Sequence, residues 1–422
     1  MKLVRIDQTT LNEIIQKHTM FRVARMGGAR AILSHHDLTG LNFSGHDLSH
    51  ADLTGALLCQ CNMEDTRLDY TTLFSADLRL ANLHNSSLVR ADLRGVCLRG
   101  ALLVNADMTG VDLREGTMSE PDGKLMIPGM TELSFSGGSG VADLSGANLS
   151  SAKLSGAVAN NCDFSDATMR GCRFVRANLQ GVNMSGVNLT DADLSMCDVK
   201  GANLRDAILI NVTTTATKLT EACTEGALTE TPTGPTIKDL SGPLADLLRQ
   251  HLMWLGSDGK NGARLQVNGF DLRGATSFAH SCLSMMQAQG AVMVGLDFSD
   301  TQIQVADLRD TDLRHANFTS ADMRGSDFHN ANLCNANMQG IKLQPLEISS
   351  GRTVPTNMTS CKLRYSNLYG ANLREVNFSK ADLRNASLLG SDITGACFKS
   401  AQISGLRATQ SQYDYIRQNM ES

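Results

Sequence analysis

The chain has 422 residues, a formal net charge of −5 and a pI near 6.1. That balance excludes a general electrostatic attraction to nucleic acid or to anionic membranes, so no direct nucleic-acid binding is expected. Aromatic residues make up only 5% of the chain, whereas it holds 37 Gly and 7 Pro, which predicts an aliphatic core and a backbone that turns often.

The amino-terminal residues lack the apolar stretch of a secretory signal, and no apolar run is long enough to span a bilayer. Eleven cysteines are present, and five of them occupy a position of the repeat described below that otherwise holds small residues. We interpret these five as buried thiols rather than disulfides, which predicts a reducing, cytoplasmic location. They are Cys61, Cys162, Cys172, Cys197 and Cys361.

A capping helix is predicted within residues 1–35. Thr10 and Glu13 have the spacing of a capping box at its amino end. An apolar stripe at helical spacing follows, made of Leu11, Ile14, Ile15, His18 and Phe21. Such a helix would cover backbone groups that the first coil of a repeat structure otherwise leaves unpaired.

From residue 38 the sequence advances in steps of five. The residue at each fifth position, called here the central residue, is Leu, Met or Phe from Leu38 to Met118. The residue two positions earlier is mostly small, and Asp or Asn often lies between them, as in Ala51-Asp52-Leu53. A period of five fits neither a helix nor a flat strand, so the chain must turn every five residues, with small and central residues pointing inward.

Four such sides make a square coil of about 20 residues, and successive coils stack about 4.8 Å apart. Leu38, Leu58, Leu78 and Leu98 then form one inner column. The A-(D/N)-L-x-x pattern closely resembles the pentapeptide-repeat family, and the resemblance covers most of the chain. It implies an all-β solenoid, a right-handed quadrilateral β-helix. We expect two towers of this kind, each preceded by a short α-helix.

The predicted organisation has five segments. They are a capping helix at 1–35, a first β-helix at 36–228 with a loop at 119–141, a linker and capping helix at 229–262, a second β-helix at 263–404, and a helical tail at 405–422. Ser241 is the predicted N-cap of the second capping helix. The two halves look duplicated, because IIQKHTMF (14–21) matches LLRQHLMW (247–254) and GARAILSHHDLTG (28–40) matches GARLQVNGFDLRG (262–274). We interpret the matching His18 and His251 as helix-to-coil contacts.

Stepping by 20 through the second tower predicts one ladder of large side chains. Its members are Phe278, Phe298, Phe318, Met338, Met358, Phe378 and Phe398. The segment 344–357 lacks the repeat signature, yet the five-residue phase continues across it. The sequence therefore predicts that this segment keeps the coil path, with Leu346 and Ile348 facing inward and Met338 stacked directly against Met358.

No catalytic constellation stands out, and no cofactor or metal is predicted. The Asp residues recur at one outward position, which favours a structural role over acid–base chemistry. His35, His36, His46 and His50 cluster near the first coil, but they have no further ligand at a clear spacing for metal. Cys59 and Cys61 are expected to point apart, outward and inward respectively.

Charge is distributed unevenly along the repeat. Residues 36–120 hold twelve acids and six arginines, whereas residues 356–403 hold three acids and six bases. The sequence predicts a bacterial, non-enzymatic scaffold for an unidentified protein partner, with its oligomeric state left open. Two alternatives stay open, a DNA-mimicking modulator of a type II topoisomerase such as gyrase, which the resemblance implies for some relatives, and a secreted bacterial effector.

Overall fold

A computed structural model shows how the five-residue period is built. It describes residues 3–116, 141–275, 277–349 and 351–420. The predicted loop at 119–141 lies outside the described residues, apart from its last position. The described chain forms two compact units, one comprising residues up to 116 together with 141–231, and the other beginning at residue 232.

Each unit is wound as a coil whose successive turns pair in parallel. In the first unit Asp52 pairs with Thr72 and Thr72 with Asp92, a step of 20 residues that recurs along the coil. The N–H of Leu53 donates to the carbonyl of Thr72 at 2.8 Å, which ties neighbouring turns together. The predicted column lies inside, because the structure buries Leu38, Leu58, Leu78 and Leu98 completely. Parallel pairing at this step forms a β-helix.

The corners of the coil require a left-handed backbone. The second residue after nearly every central residue of the described coil has a positive φ, for example 75° at Gly40 and 61° at Gly55. Glycine adopts this region without steric cost, which explains why it recurs there. His50 and Tyr70 occupy the same corner position with φ of 66° and 55°, so the coil also imposes this conformation on larger residues.

An insertion lengthens one turn of the first unit. Cys97 pairs with Asp143 and Leu102 with Asn148, a step 26 residues longer than the regular one. Because 26 is not a multiple of five, the central positions resume at Leu144 one residue out of phase.

A hairpin lengthens one turn of the second unit, so the prediction that 344–357 keeps the coil path is wrong. Strand β3 (Leu346–Ser349) pairs antiparallel with β4 (Arg352–Val354). Within β3, Leu346 is only half-buried and Ile348 is 56% exposed. Asp327 pairs with Asn357, a step ten residues longer than the regular one. Ten residues are two pentapeptides, so the five-residue phase survives while the coil register shifts by half a turn.

The predicted ladder of seven side chains therefore splits into two columns. Asn337 pairs with Asn367, which places Met338 over Leu368, whereas Met358 lies over Phe328. The prediction that Met338 stacks against Met358 is wrong, because the two extra pentapeptides move Met358 to the opposite side of the square. One column holds Phe278, Phe298, Phe318 and Met338, and the other holds Met358, Phe378 and Phe398. Ring centroids of successive Phe residues are 5.1 to 5.3 Å apart within them.

The first unit begins with a strand and a helix that close its open end. Strand β1 (Val4–Arg5) pairs in parallel with β2 (His36–Asp37), and α1 (Gln8–Arg22) follows β1. The predicted capping box of Thr10 and Glu13 is wrong. The helix starts earlier, and Asp7 is its N-cap, accepting the N–H of Thr10 at 2.9 Å. Thr10 is thus inside the first turn, where its N–H needs a partner.

The second unit begins with a related arrangement. Thr236 pairs in parallel with Asp271, a short 3₁₀ helix (Ile237–Asp239) follows, and then α2 (Leu244–Gly256). The prediction of Ser241 as the N-cap is wrong, because Pro243 occupies that position and no side chain caps the helix. The carbonyl of Pro243 accepts the N–H of Leu247 instead.

The two capping helices contact their coils through the same residues, as predicted for His18 and His251. The N–H of Ala31 donates to Nδ1 of His18 at 3.0 Å, and the N–H of Leu265 donates to Nδ1 of His251 at 3.1 Å. Both histidines are fully buried. Each lies against the aromatic residue three positions later, with centroids 5.9 Å apart.

Arginine and glycine complete this capping module. Arg30 Nε donates to the carbonyl of His50, and Arg264 Nε donates to the carbonyl of Met285. Gly28 and Gly262 pass so close to the C-terminal halves of α1 and α2 that a Cβ atom at either position would lie within 2.4 Å of a backbone atom. The other described elements are a 3₁₀ turn (Leu219–Glu221) in the first unit and α3 (Gln410–Gln418), which ends the second.

Candidate interaction surface

The outward Asp and Asn residues of the repeat stabilise its turns. Their Oδ1 atom accepts the backbone N–H two residues later, as Asp47 does from Ser49 at 2.9 Å and Asp52 from Thr54 at 3.0 Å. This is an Asx turn, which Asp and Asn form equally well. The residue between Ala and Leu is thus chosen by local backbone geometry, and its recurrence does not mark a site of acid–base chemistry.

Where arginine follows two residues after aspartate, the two form an ion pair within one turn. Arg94 donates to Asp92 through Nε and Nη2, both at 2.8 Å, and Arg309 holds Asp307 in the same way. Hydrogen bonds from Arg309 lower the pKa of Asp307, so that the carboxylate stays ionised. The same pairing occurs at Asp77–Arg79, Asp112–Arg114, Asp271–Arg273, Asp312–Arg314, Asp322–Arg324 and Asp382–Arg384. Such turns are electrically neutral.

Amide side chains link one face of the second unit along the coil axis. Asn317 Nδ2 donates to Asp297 at 2.9 Å, Asn337 donates to Asn317 at 3.3 Å, and Asn367 donates to Asn337 at 3.2 Å. The chain of amides crosses the hairpin without a break, because the coil closes again beyond it. This face is polar and carries little charge, and its amide side chains are held at a fixed spacing.

The cysteines at the small inward position are buried, as predicted. Cys61 Sγ donates to the carbonyl of Leu38 at 3.0 Å, and Cys172 Sγ donates to that of Leu149 at 2.7 Å. Burial raises the pKa of both thiols to about 12. Protonated thiols are poor nucleophiles and poor metal ligands. Within the described residues the cysteines form no disulfide bonds. Cys59 is buried as well, although it was expected to point outward, and burial raises the pKa of its thiol further.

The four amino-terminal histidines do not converge. His36 Nδ1 contacts the carbonyl of Ser34 at 2.9 Å, and His50 stacks on Tyr70 with centroids 5.1 Å apart. His46 lies at the edge of a cleft of about 510 Å³ beside α1. Ile15, Gln16, Thr19 and Arg25 are among the other residues that line this cleft. Within the described ranges, no three His, Cys, Asp or Glu side chains are grouped as a metal site would require.

One part of the coil departs from the neutral pattern. In the turn Lys362-Leu363-Arg364 a lysine replaces the usual aspartate, so Arg364 reaches instead to Asp382 in the next turn, 3.8 Å away. Asp382 already accepts two hydrogen bonds from the guanidinium of Arg384 and one from its backbone N–H. Although burial opposes the shift, these hydrogen bonds lower the pKa of Asp382.

Two more lysines lie on the corner beside this face. Lys362, Lys380 and Lys399 are all exposed, and the coil holds them in three successive turns, because Lys362 pairs with Asp382 and Lys380 donates its N–H to Lys399. We call Lys362, Arg364, Lys380, Arg384 and Lys399 the basic patch. It contains five bases around the single acid Asp382. Sequence reasoning noted a basic final stretch but did not assign these residues to one side of the coil.

None of the described helices is long and apolar enough to cross a bilayer.

A family model described as pentapeptide repeats matches the chain over more than half its length. The matched residues are 29–55, 47–85, 86–120, 142–181, 169–206, 304–340 and 371–405. Comparison with curated proteins finds none that matches the chain.

Several solved structures are similar to this chain. HetL, a pentapeptide repeat protein involved in heterocyst differentiation regulation from the cyanobacterium Nostoc, is 18% identical, with 92% of this chain and 93% of HetL covered and a TM-score of 0.24. QnrB1, a plasmid-mediated fluoroquinolone resistance protein, is 15% identical, with 46% of this chain and 91% of QnrB1 covered and a TM-score of 0.28. Rfr23 from the cyanobacterium Cyanothece is 25% identical, with 29% and 60% covered and a TM-score of 0.15.

Proposed function

Since the chain belongs to the pentapeptide-repeat family, we propose that it is a non-catalytic scaffold whose outer faces bind a protein partner. The scaffold consists of two right-handed quadrilateral β-helices, at residues 36–228 and 263–404, each closed at its start by a capping helix. The observation that carries the proposal is the regular spacing of the outward side chains. They recur at every turn of a coil whose turns are joined by backbone hydrogen bonds.

The polar groups on these faces support binding rather than catalysis. A general acid or base needs a carboxyl group whose proton affinity is tuned to the reaction. Here Asp92 and Asp307 are each held by the arginine two residues later and by a backbone N–H. The inward cysteines are kept protonated by burial. These groups stabilise the coil and are not free to react, whereas the outer faces of the coil can bind a partner.

The alternative of a DNA mimic is not favoured by the charges of the first unit. A mimic of duplex DNA presents a row of negative charges that are not neutralised by neighbours. Asp77, Asp92 and Asp112 each pair with the arginine of their own turn, and Asp107 pairs with Lys153 at 3.1 Å. In a gyrase supercoiling assay we expect neither inhibition nor protection from a quinolone at micromolar protein. Clear inhibition would favour the alternative.

The scaffold proposal is tested by capture from a native lysate of the source cells. The folded chain, immobilised through its carboxyl end, is expected to retain a small set of proteins in stoichiometric amounts. The matched control is the same chain carrying Leu93→Asp and Leu373→Asp, which destroys the coils while leaving most surface residues unchanged. A retained set that is identical for both chains would contradict a role for the folded faces.

A further inference from the structure

We propose that the basic patch is the docking site for an acidic segment of the protein partner. The inference rests on the proposed scaffold function and names both the surface and the chemistry of the partner. It starts from Lys362, which takes the place of the aspartate that neutralises arginine elsewhere in the repeat. The turns at 307–309 and 382–384 show the neutral arrangement from which this turn departs.

The excess charge is confined to one side of the last turns. The segments 357–366, 377–386 and 397–406 lie over one another on two adjacent faces and hold five bases and one acid. The segments 367–376 and 387–396, on the other two faces of the same turns, hold one base and two acids. Two adjacent faces of these turns are therefore net positive, and the two opposite faces are slightly negative.

The surroundings select a short ligand over a long polyanion. In the turns immediately before the patch, segments 307–316 and 327–336 on the same two faces hold four acids and two arginines. The patch itself spans three turns, or about 10 Å at the usual inter-strand distance. Duplex DNA extends far beyond such a span and would meet acidic turns on a chain whose net charge is −5. A few carboxylates of a protein segment fit within the patch.

The backbone that carries the patch and one of its arginines are held in place, which favours recognition of a defined partner. Arg384 is fixed by two hydrogen bonds to Asp382, at 2.8 and 2.7 Å, and the backbone beneath is paired with turns on both sides. Arg384 therefore loses less conformational freedom on binding than a flexible side chain would. Charge complementarity of this kind accelerates association and discriminates against partners of the wrong sign.

The test is a fluorescence anisotropy titration of the full chain into a labelled peptide of alternating glutamate and serine, with a glutamine–serine peptide as the neutral probe. We expect the acidic peptide alone to bind, and its affinity to fall roughly 10-fold between about 0.05 and 0.3 M salt. The triple variant K362E/K380E/K399E should weaken binding by at least about 10-fold. The matched control K200E/K218E/K260E reverses three exposed lysines elsewhere and should bind within about 2-fold of the native chain.

Equal loss in both triple variants would show that only total charge matters and would overturn the docking site. Tighter, patch-dependent binding of a short DNA duplex or of phosphatidylserine vesicles would overturn the assignment to an acidic protein segment. The lysate experiment separates this proposal from the scaffold proposal. If the patch variant retains the same proteins as the native chain, the docking site is wrong while the scaffold stands, and if the native chain retains none, the scaffold proposal is wrong.

Discussion

The two units begin alike but continue differently. Each starts with a parallel strand contact, a capping helix, a buried histidine and a glycine packed closely against the helix backbone. Beyond these modules the inner columns diverge, with leucine columns such as Leu38–Leu58 in the first unit and stacked rings such as Phe278–Phe298 in the second. The start of the coil therefore tolerates few residues at its contact points, whereas the interior accepts any apolar side chain of suitable size.

The largest expected effect comes from a charge inside one coil. Leu93→Asp and Leu373→Asp each bury an unpaired carboxylate at a fully buried position, which should cost at least about 4 kcal/mol of unfolding free energy. Because each unit has its own cap and its own core, each variant should lower only one calorimetric transition. Equal shifts of both transitions would show that the units do not fold separately.

Asp92→Asn is the matched control for Leu93→Asp. It keeps the oxygen that accepts the N–H of Arg94 and loses only an exposed ion pair, so a change below about 1 kcal/mol is expected.

The glycines of the capping modules give the next largest effect. In Gly28→Ala the new methyl group would lie 2.4 Å from the nitrogen of Phe21, and in Gly262→Ala it would lie 2.2 Å from the carbonyl oxygen of Gln250. We expect losses of about 2–4 kcal/mol in urea unfolding, larger for Gly262→Ala because its φ is +79°. Gly40→Ala is the control, with the same kind of φ but open space, and should cost roughly 1–2 kcal/mol.

The buried histidines predict a smaller, pH-dependent effect shared by both caps. Burial lowers the pKa of His18 and of His251 below the ordinary value of 6.5. Below that pH the unfolded chain binds protons that the folded chain does not, so the free energy of unfolding falls as the pH decreases. Each histidine should therefore contribute to a loss of stability that begins as the pH falls through about 6.5.

Melting temperatures across this pH range measure the effect. The double variant His18→Asn/His251→Asn keeps a side-chain acceptor near the position of Nδ1 for the N–H of Ala31 and of Leu265 but cannot titrate. Its stability should therefore depend less on pH below 6.5 than that of the native chain. An unchanged slope would mean that other groups cause the acid sensitivity.

The smallest effect is expected from removing the hairpin of the second unit. Deletion of residues 345–354 combined with Pro355→Gly restores the 20-residue step between Asp327 and Asn357. Shortening a surface loop changes stability little, so we expect a difference within about 1 kcal/mol. The same deletion with Pro355 retained is the control. It places proline at a corner that needs a positive φ, and should lose roughly 3 kcal/mol. Equal stability of the two deletion variants would contradict the pairing of Asp327 with Asn357.

Sequence reasoning reached the inner and outer positions because a five-residue period determines them locally. The column from Leu38 to Leu98 and the buried thiols such as Cys61 follow from that period alone. The hairpin before Asn357 was missed because ten inserted residues leave the period unchanged and alter only the 20-residue register, which depends on pairing between turns.

The helix starts and the basic patch were missed for different reasons. Thr10 matches a capping pattern, but the start of α1 is determined by β1, whose pairing with His36 brings Asp7 to the N-cap position. For the patch, the signal was present in the replacement of aspartate by Lys362. Its assignment to one face with Lys380 and Lys399 requires the register beyond the hairpin.

The inward thiols can also report the local separation of the turns of the coil. Each thiol lies inside the coil. An alkylating reagent can therefore reach it only when the turns of the coil around that cysteine separate. Four lie in the first unit and Cys361 lies in the second, where its Sγ donates to the carbonyl of Phe328. Timed alkylation followed by mass spectrometry would thus read, residue by residue, the order in which the coil unwinds.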